Sequence, residues 1–202
     1  MVDTKAIVYV IDDDASVRKS LARLVRSIGL DVDTFASARD FLVFNPPDRP
    51  GCLVLDLKMP GMTGLELQEE LTAVNRSIPI IFITGFGNVP ASVQAMKAGA
   101  VDFLEKPFDD ETLLDAIRRA IRNDFQHRQR MSERRAIRKH WERLTKREKQ
   151  VFGLVVTGML NKQIAFQLGI AEKTVKAHRA QVMQKMAVQS LADLVRVSER
   201  LK

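Results

Sequence analysis

An α/β unit followed by an all-α unit is the fold class the sequence predicts, and three observations carry it. Short apolar runs recur through the first half, near 6–11, 32–35, 52–55, 80–84 and 101–104. Turn residues bound each run and amphipathic stretches separate them, the pattern of buried parallel strands in βα repeats. The second half lacks such runs and reads as a series of helices. Charge divides at the same place. Residues 1–122 hold 14 Lys and Arg against 18 Asp and Glu, a net −4; residues 123–202 hold 18 against 7, a net +11.

The first helix is expected at 15–28. Val17, Leu21, Leu24, Val25 and Ile28 recur near 3.6 residues, Asp14 can cap it and Gly29 ends it. Further helices are expected at 37–44, 64–75, 89–98 and from 109 onward. Asn45-Pro46-Pro47-Asp48-Arg49-Pro50-Gly51 is a loop, and Met59–Gly64 is a turn in which Thr63 can cap the third helix. Asp109, Asp110 and Glu111 place negative charge in the first turn of the fifth helix, where the dipole favours it.

From Pro107 to Gly153 no Pro or Gly intervenes. Leu113, Leu114, Ile117, Ile121 and Phe125 form an apolar stripe. Arg128, Arg130, Arg134, Arg135, Arg138, Lys139 and Arg143 follow. The stretch is either a basic linker helix continuing the fifth helix or a solvated Arg-rich coil, and propensity does not decide between them. Thr145-Lys146-Arg147-Glu148 fits a capping box ahead of Val151, Phe152, Leu154 and Val155. After Thr157-Gly158, helices are expected at 161–168, 172–186 and 190–201. The first two are joined by Gly169-Ile170-Ala171, the spacing of a helix-turn-helix.

The 202 residues suit two small domains. Cys52 is the lone cysteine and excludes an intrachain disulfide. No stretch approaches the roughly 18 apolar residues of a membrane span, and the N-terminus has no signal-peptide apolar region, so the chain is expected to be cytoplasmic with no membrane partner. The +11 half is expected to face a polyanion such as nucleic acid.

Polar groups gather where the apolar runs end. Asp12 and Asp13 close the first, Asp56 the third and Thr84 the fourth; Lys106 follows the fifth. In a parallel sheet the strand C-termini form the functional crevice at the topological switch point. Carboxylates there suit a divalent cation, an ionised Asp can be a nucleophile, and a Lys reaches phosphate oxygens as a point charge. Any one of these residues alone would be a turn or cap residue, as Asp14 is expected to be.

Val10-Ile11-Asp12-Asp13-Asp14, Leu55-Asp56-Leu57-Lys58-Met59-Pro60-Gly61, Ile83-Thr84-Gly85 and Phe103-Leu104-Glu105-Lys106-Pro107-Phe108 resemble a bacterial response-regulator receiver domain over residues 4–122. The resemblance implies a flavodoxin-like (βα)5 fold and Asp56 as acceptor of phosphate from a sensor histidine kinase. It implies Mg²⁺, or Mn²⁺, held by Asp13, Asp56 and the backbone carbonyl of Lys58, with Asp12 acting through water. Thr84 and Phe103 would be the switch pair and Lys106 the phosphate contact. Phe103 departs from the Tyr found in many relatives, which removes a hydroxyl hydrogen bond. Such receivers commonly dimerise through the fourth helix, fifth strand and fifth helix; Val93, Met96, Lys97 and Phe103 are the candidates, unless Val93 and Met96 are core. Lys58 and Phe86 are candidates to shield the site from water. An aspartyl phosphatase of the haloacid-dehalogenase type is disfavoured, because Leu57 and Lys58 follow Asp56 where that family needs Asp-x-Asp.

In the second half, Lys173, Lys176, Ala177 and Ala180 share one face of the second helix of the helix-turn-helix. Such a helix can enter the major groove, where Ala177 could meet a thymine methyl. Leu144-Thr145-x-Arg147-Glu148, Gly158, Asn161-Lys162-Gln163-Ile164-Ala165, Leu168-Gly169-Ile170 and Thr174-Val175-Lys176-x-His178 resemble the LuxR-type helix-turn-helix over 141–202. By that resemblance Lys176 and Ala177 approach bases, while Lys162, Thr174 and Arg179 favour phosphates. Lys173, His178 and Lys185 complete the candidate DNA face. Ala180 stands where relatives often carry a longer polar residue. Ile164, Leu168, Val175 and Val182 are expected in the core, His127 and His140 in solvent, and Trp141 packed between linker and module.

The whole chain resembles a NarL/FixJ-type transcriptional regulator, with domains at 4–122 and 141–202 and a linker at 123–140. That resemblance implies a phosphorylation-activated DNA-binding protein rather than an enzyme with a separate substrate. Its implied partners are a kinase, double-stranded promoter DNA, a second copy when phosphorylated, and RNA polymerase. Two rivals stand beside it: a signalling protein that binds only protein, and a constitutive DNA binder with a vestigial receiver.

Overall fold

The computed structural model describes residues 6–85 and 89–201; Phe86 lies outside them. The N-terminal half alternates strand and helix in the order β1 (Ile7–Ile11), α1 (Ala15–Ser27), β2 (Asp31–Phe35), α2 (Ala38–Val43), β3 (Gly51–Asp56), α3 (Gly64–Ala73), β4 (Ile80–Thr84), α4 (Val89–Lys97) and β5 (Asp102–Glu105). The helix α5 then runs Asp110–Glu142, followed by α6 (Lys146–Val155), α7 (Asn161–Leu168), α8 (Glu172–Lys185) and α9 (Leu191–Leu201). The chain divides into two compact units, residues 1–128 and 129–202.

All five strands are parallel, in the order β2-β1-β3-β4-β5. The order reverses at β1 and β3, so the switch point lies over the ends of those two strands. Alternate side chains serve opposite faces. Ile7, Tyr9, Ile11, Leu53, Leu55 and Phe82 pack with α2 and α3 on one side. Val8, Val10, Cys52, Val54, Ile81 and Ile83 pack with α1 and α5 on the other. Both faces are covered, which is why β1, β3 and β4 read as continuous apolar runs.

Local signals set the helix starts. Asp14 accepts from the N–H groups of Ser16 and Val17 at the head of α1. Thr63 and Glu66 form a capping box at α3, and Thr145 and Glu148 form another at α6. Gly64 is required by close approach: a Cβ there would lie 2.5 Å from the carbonyl oxygen of Asp56.

The stretch whose sequence left helix and coil equally open is helical, as α5 continues to Glu142. Ile137 and Trp141 pack on the C-terminal core, and Trp141 meets Phe152 edge-on at 5.0 Å. That core gathers Val151, Phe152, Val155, Ile164, Val175 and Val182. Gly169 turns between α7 and α8 with φ of 63°, a left-handed conformation that glycine adopts without strain. His140 is not solvated: it is half-buried, and its Nδ1 lies 2.9 Å from the carbonyl oxygen of Lys185. His127 is exposed.

Candidate functional site

The strand ends bring three charged groups into contact. Lys106, just beyond β5, donates to Asp12 at 2.7 Å and to Asp56 at 2.8 Å. Asp12 is 1% exposed and Asp56 6%. Two buried carboxylates that close need a cation between them, and the ammonium supplies it. The backbone fixes each partner. The N–H of Asp14 donates to one carboxylate oxygen of Asp12 at 2.9 Å, and the N–H of Lys58 donates to one of Asp56 at 2.8 Å. The N–H of Lys106 donates to the carbonyl of Thr84 at 2.7 Å, pinning the end of β5 to the end of β4.

Burial raises the Asp56 pKa above the usual carboxylate range, although the hydrogen bonds from Lys106 and Lys58 oppose the shift. Burial pulls Lys106 the other way, but its bonds to Asp12 and Asp56 outweigh that, so the ammonium is held more firmly than usual. The crevice therefore holds two buried carboxylates around one firmly protonated ammonium.

The remaining expected groups are placed differently. Asp13 is exposed beside Asp12, and Lys58 is exposed beside Asp56. Thr84 is 1% exposed at the end of β4. Phe103 on β5 is half-buried, with its ring 6.3 Å from that of Phe82. On α4, Val93 is 44% and Met96 46% exposed and Lys97 is exposed, so the reading of Val93 and Met96 as core is wrong.

Among the described residues no three His, Cys, Asp or Glu side chains form a metal cage. Mg²⁺ does not need one: it keeps several waters and takes one or two carboxylates plus phosphate oxygens. The hard oxygens of Asp12 and Asp56, with Asp13 adjacent, fit that chemistry.

The second candidate surface is the C-terminal module. Lys173, Thr174, Lys176 and Ala177 on α8 are exposed, as is Lys162 on α7. His178 and Arg179 are half-buried, and Arg179 donates to Asn161 at 3.1 Å. Lys176 lies 3.5 Å from Glu172 one turn earlier. Lys185 is a correction. Its ammonium is 2.8 and 2.7 Å from the two carboxylate oxygens of buried Glu148, so it ties α8 to α6 instead of facing outward. Burial pushes the Glu148 pKa up, but the bonds from Lys185 and Thr145 outweigh it and the net shift is down.

Sequence reasoning missed a further buried carboxylate. Asp124 on α5 is 2% exposed, accepts from the N–H of Gly51 at 2.9 Å and pairs with Arg128 at 2.7 Å. It joins α5 to the start of β3. Its only signal was an acidic residue at 124 beside the apolar stripe, on a helix whose inward face the sequence did not fix.

A doubly wound parallel sheet with an acidic switch point closed by a lysine, followed by a basic helix-turn-helix, defines a DNA-binding response regulator. The response regulator receiver domain family matches residues 8–118, and the luxR family of bacterial regulatory proteins matches 142–198. Nodulation protein W of Bradyrhizobium diazoefficiens is 52% identical over 198 residues, covering 98% of this chain and 87% of the relative. The transcriptional regulatory protein FixJ of Rhizobium meliloti is 46% identical, covering 96% of each. The solved structure of response regulator StyR matches with a TM-score of 0.88 at 50% identity, covering 97% of this chain and 99% of StyR. The chain belongs to the two-component response regulators that join a receiver to a LuxR-type DNA-binding domain, and it is a transcription regulator of that family. Among the described residues no helix is long and apolar enough to cross a membrane.

Proposed function

We propose that Asp56 takes a phosphoryl group from a sensor histidine kinase, and that this controls DNA binding by the helix-turn-helix. The observation that carries the reading is the shared grip of Lys106 on Asp12 and Asp56 at the switch point. A phosphoryl group on Asp56 replaces a single carboxylate charge with a larger dianion. Lys106 then follows the phosphate oxygens, and Asp12 loses part of its partner. Thr84 lies at the next strand end, where its hydroxyl can turn to the phosphate. Phe103, on the adjoining strand, is the neighbour that such a turn repacks. Mg²⁺, held by Asp13, Asp56 and the carbonyl of Lys58 with Asp12 through water, would neutralise charge on the transferring group.

The repacking shifts a two-state equilibrium, by as much as phosphate favours one state over the other. The favoured state is a homodimer formed through the surface that carries Val93, Met96, Lys97 and Phe103. Two copies of the C-terminal module then reach two half-sites of promoter DNA. In each, Lys176 and Ala177 meet base edges while Lys162, Lys173, Thr174, His178 and Arg179 serve the backbone. The receiver fills 4–122 and the DNA-binding domain 141–202, joined by the basic linker at 123–140. The protein acts in the cytoplasm, with RNA polymerase as a further contact.

The test is intact mass and sedimentation after incubation with acetyl phosphate and Mg²⁺. Wild type is expected to gain one phosphoryl group and move toward dimer. Asp56→Asn is expected to do neither and to keep its circular dichroism. No adduct on wild type, or an adduct on Asp56→Asn, would reject the assignment.

A further inference from the structure

A cluster of positive charge in the N-terminal unit lies on α1. The helix α1 carries Arg18, Lys19, Arg23 and Arg26 and no acidic residue, within a segment whose net charge is −4. With Ala15 and Ala22 these occupy one face of the helix, following the 3- and 4-residue steps of helical spacing. Together with Thr34 of the edge strand β2 they line a groove of about 510 Å³. Ala22 is buried. Lys19, Arg23 and Arg26 have no carboxylate partner among the described residues, whereas the neighbouring Arg49 is paired with Asp31 at 2.6 Å. A second hollow shares Arg26, but Asp31 and Asp33 also line it, so its charge is balanced and it favours no anion.

We propose that the groove between α1 and β2 binds condensed phosphate, either a free polyphosphate chain or the triphosphate of a nucleotide. Four cations and a hydroxyl around small residues let an anionic chain approach closely and gather charge-assisted hydrogen bonds. The volume suits a small ligand, which commonly takes about 300–1,000 Å³. The lining holds no aromatic ring and no large apolar side chain. A protein partner would want such anchors, and a nucleobase would want a stacking surface, so the phosphate chain is what the groove reads. Arg18 also donates to the backbone carbonyl of Asp12 at 2.5 Å. An anion drawing on that guanidinium therefore reaches the loop after β1, and occupancy is felt beside the acidic crevice.

The experiment is an NMR titration of the ¹⁵N-labelled full chain in Mg²⁺-free buffer, with sodium tripolyphosphate, ATP and adenosine as separate probes. Tripolyphosphate is expected to shift amides along 15–26 and at Thr34, and the Asp13 amide with them. Arg23→Gln/Arg26→Gln is expected to weaken these shifts by roughly tenfold in midpoint, the loss of about two charge-assisted contacts. Lys173→Gln/Lys176→Gln, which lowers charge on α8 by the same amount, is expected to leave them unchanged. Equal midpoints for tripolyphosphate and ATP identify a site that reads the chain alone, and a lower one for ATP makes the nucleotide the source. Shifts confined to α7 and α8, shifts that survive the α1 variant, or shifts with adenosine would each overturn the proposal. Because none of these readouts uses Asp56 phosphorylation, failure here leaves the phosphoryl-acceptor reading untouched.

Discussion

The two units hold their polar groups in opposite ways. In the crevice, Asp12, Asp56 and Thr84 are buried, and the backbone N–H groups of Asp14 and Lys58 fix the two carboxylates before any ligand arrives. On α8, Lys173, Thr174 and Lys176 stand in solvent. Carboxylates taken out of water need fixed hydrogen-bond and charge partners. A surface that meets a long polyanion gains from mobile, well-hydrated cations that displace counterions. Glu148 and Lys185 show the C-terminal module using the first strategy as well, though for its own fold rather than for a ligand.

The largest stability effect expected is at that ion pair. Glu148→Ala strands the half-buried Lys185 ammonium and removes half of the α6 capping box, at a cost of about 3–5 kcal/mol. Urea denaturation followed at Trp141 fluorescence reads it directly; a cost under about 1 kcal/mol would place the pair among surface bridges. The same pair gives a pH dependence. The folded pKa of Glu148 lies below its ordinary value of 4.5. Its contribution is therefore fully present above pH 4.5 and is lost as pH falls through the folded value. Acid titration of wild type and Glu148→Gln is expected to show this loss in wild type only.

A smaller cost is expected at the crevice. Gly64→Ala places a Cβ 2.5 Å from the Asp56 carbonyl oxygen and 2.9 Å from the Phe82 ring. The strand end and α3 must part, at about 1–3 kcal/mol, which chemical denaturation measures. A neutral result would mean that the turn 57–63 yields freely and does not hold Asp56 in place.

On the exposed face of α8 the expected effects fall on DNA affinity and leave stability nearly unchanged. Lys176→Ala should cost about 1–3 kcal/mol on specific promoter DNA and less on random DNA. Lys185→Ala should leave both affinities alone once the fraction of folded protein is matched. Equal losses from Lys176→Ala on the two DNAs would make it a backbone contact.

The first half was legible because a parallel sheet turns one-dimensional order into position. A polar residue closing an apolar run can only lie at a strand end, so Asp12, Asp56, Thr84 and Lys106 could be placed together without any knowledge of the turns between them. What escaped was pairing across distance. Lys185 looked like one more cation on a basic helix, and its partner Glu148 lies 37 residues earlier, already explained as a cap. Asp124 and Gly51 are 73 apart, on elements whose mutual register the sequence does not encode locally. Helix and coil stayed open beyond Phe125 because the residues there are polar on all sides; Ile137 and Trp141, four apart, were the available sign that the helix finds a core again.

The link between the two units is tested most directly by fluorescence anisotropy of the full chain on labelled promoter DNA, with and without acetyl phosphate and Mg²⁺, for wild type and Asp56→Asn. Phosphorylated wild type is expected to bind at least roughly tenfold tighter than either unphosphorylated wild type or the variant, a shift of about 1.4 kcal/mol in the population of the binding-competent state. Equal affinity in all of these states, with the phosphoryl adduct confirmed by mass, would contradict the control of DNA binding by Asp56.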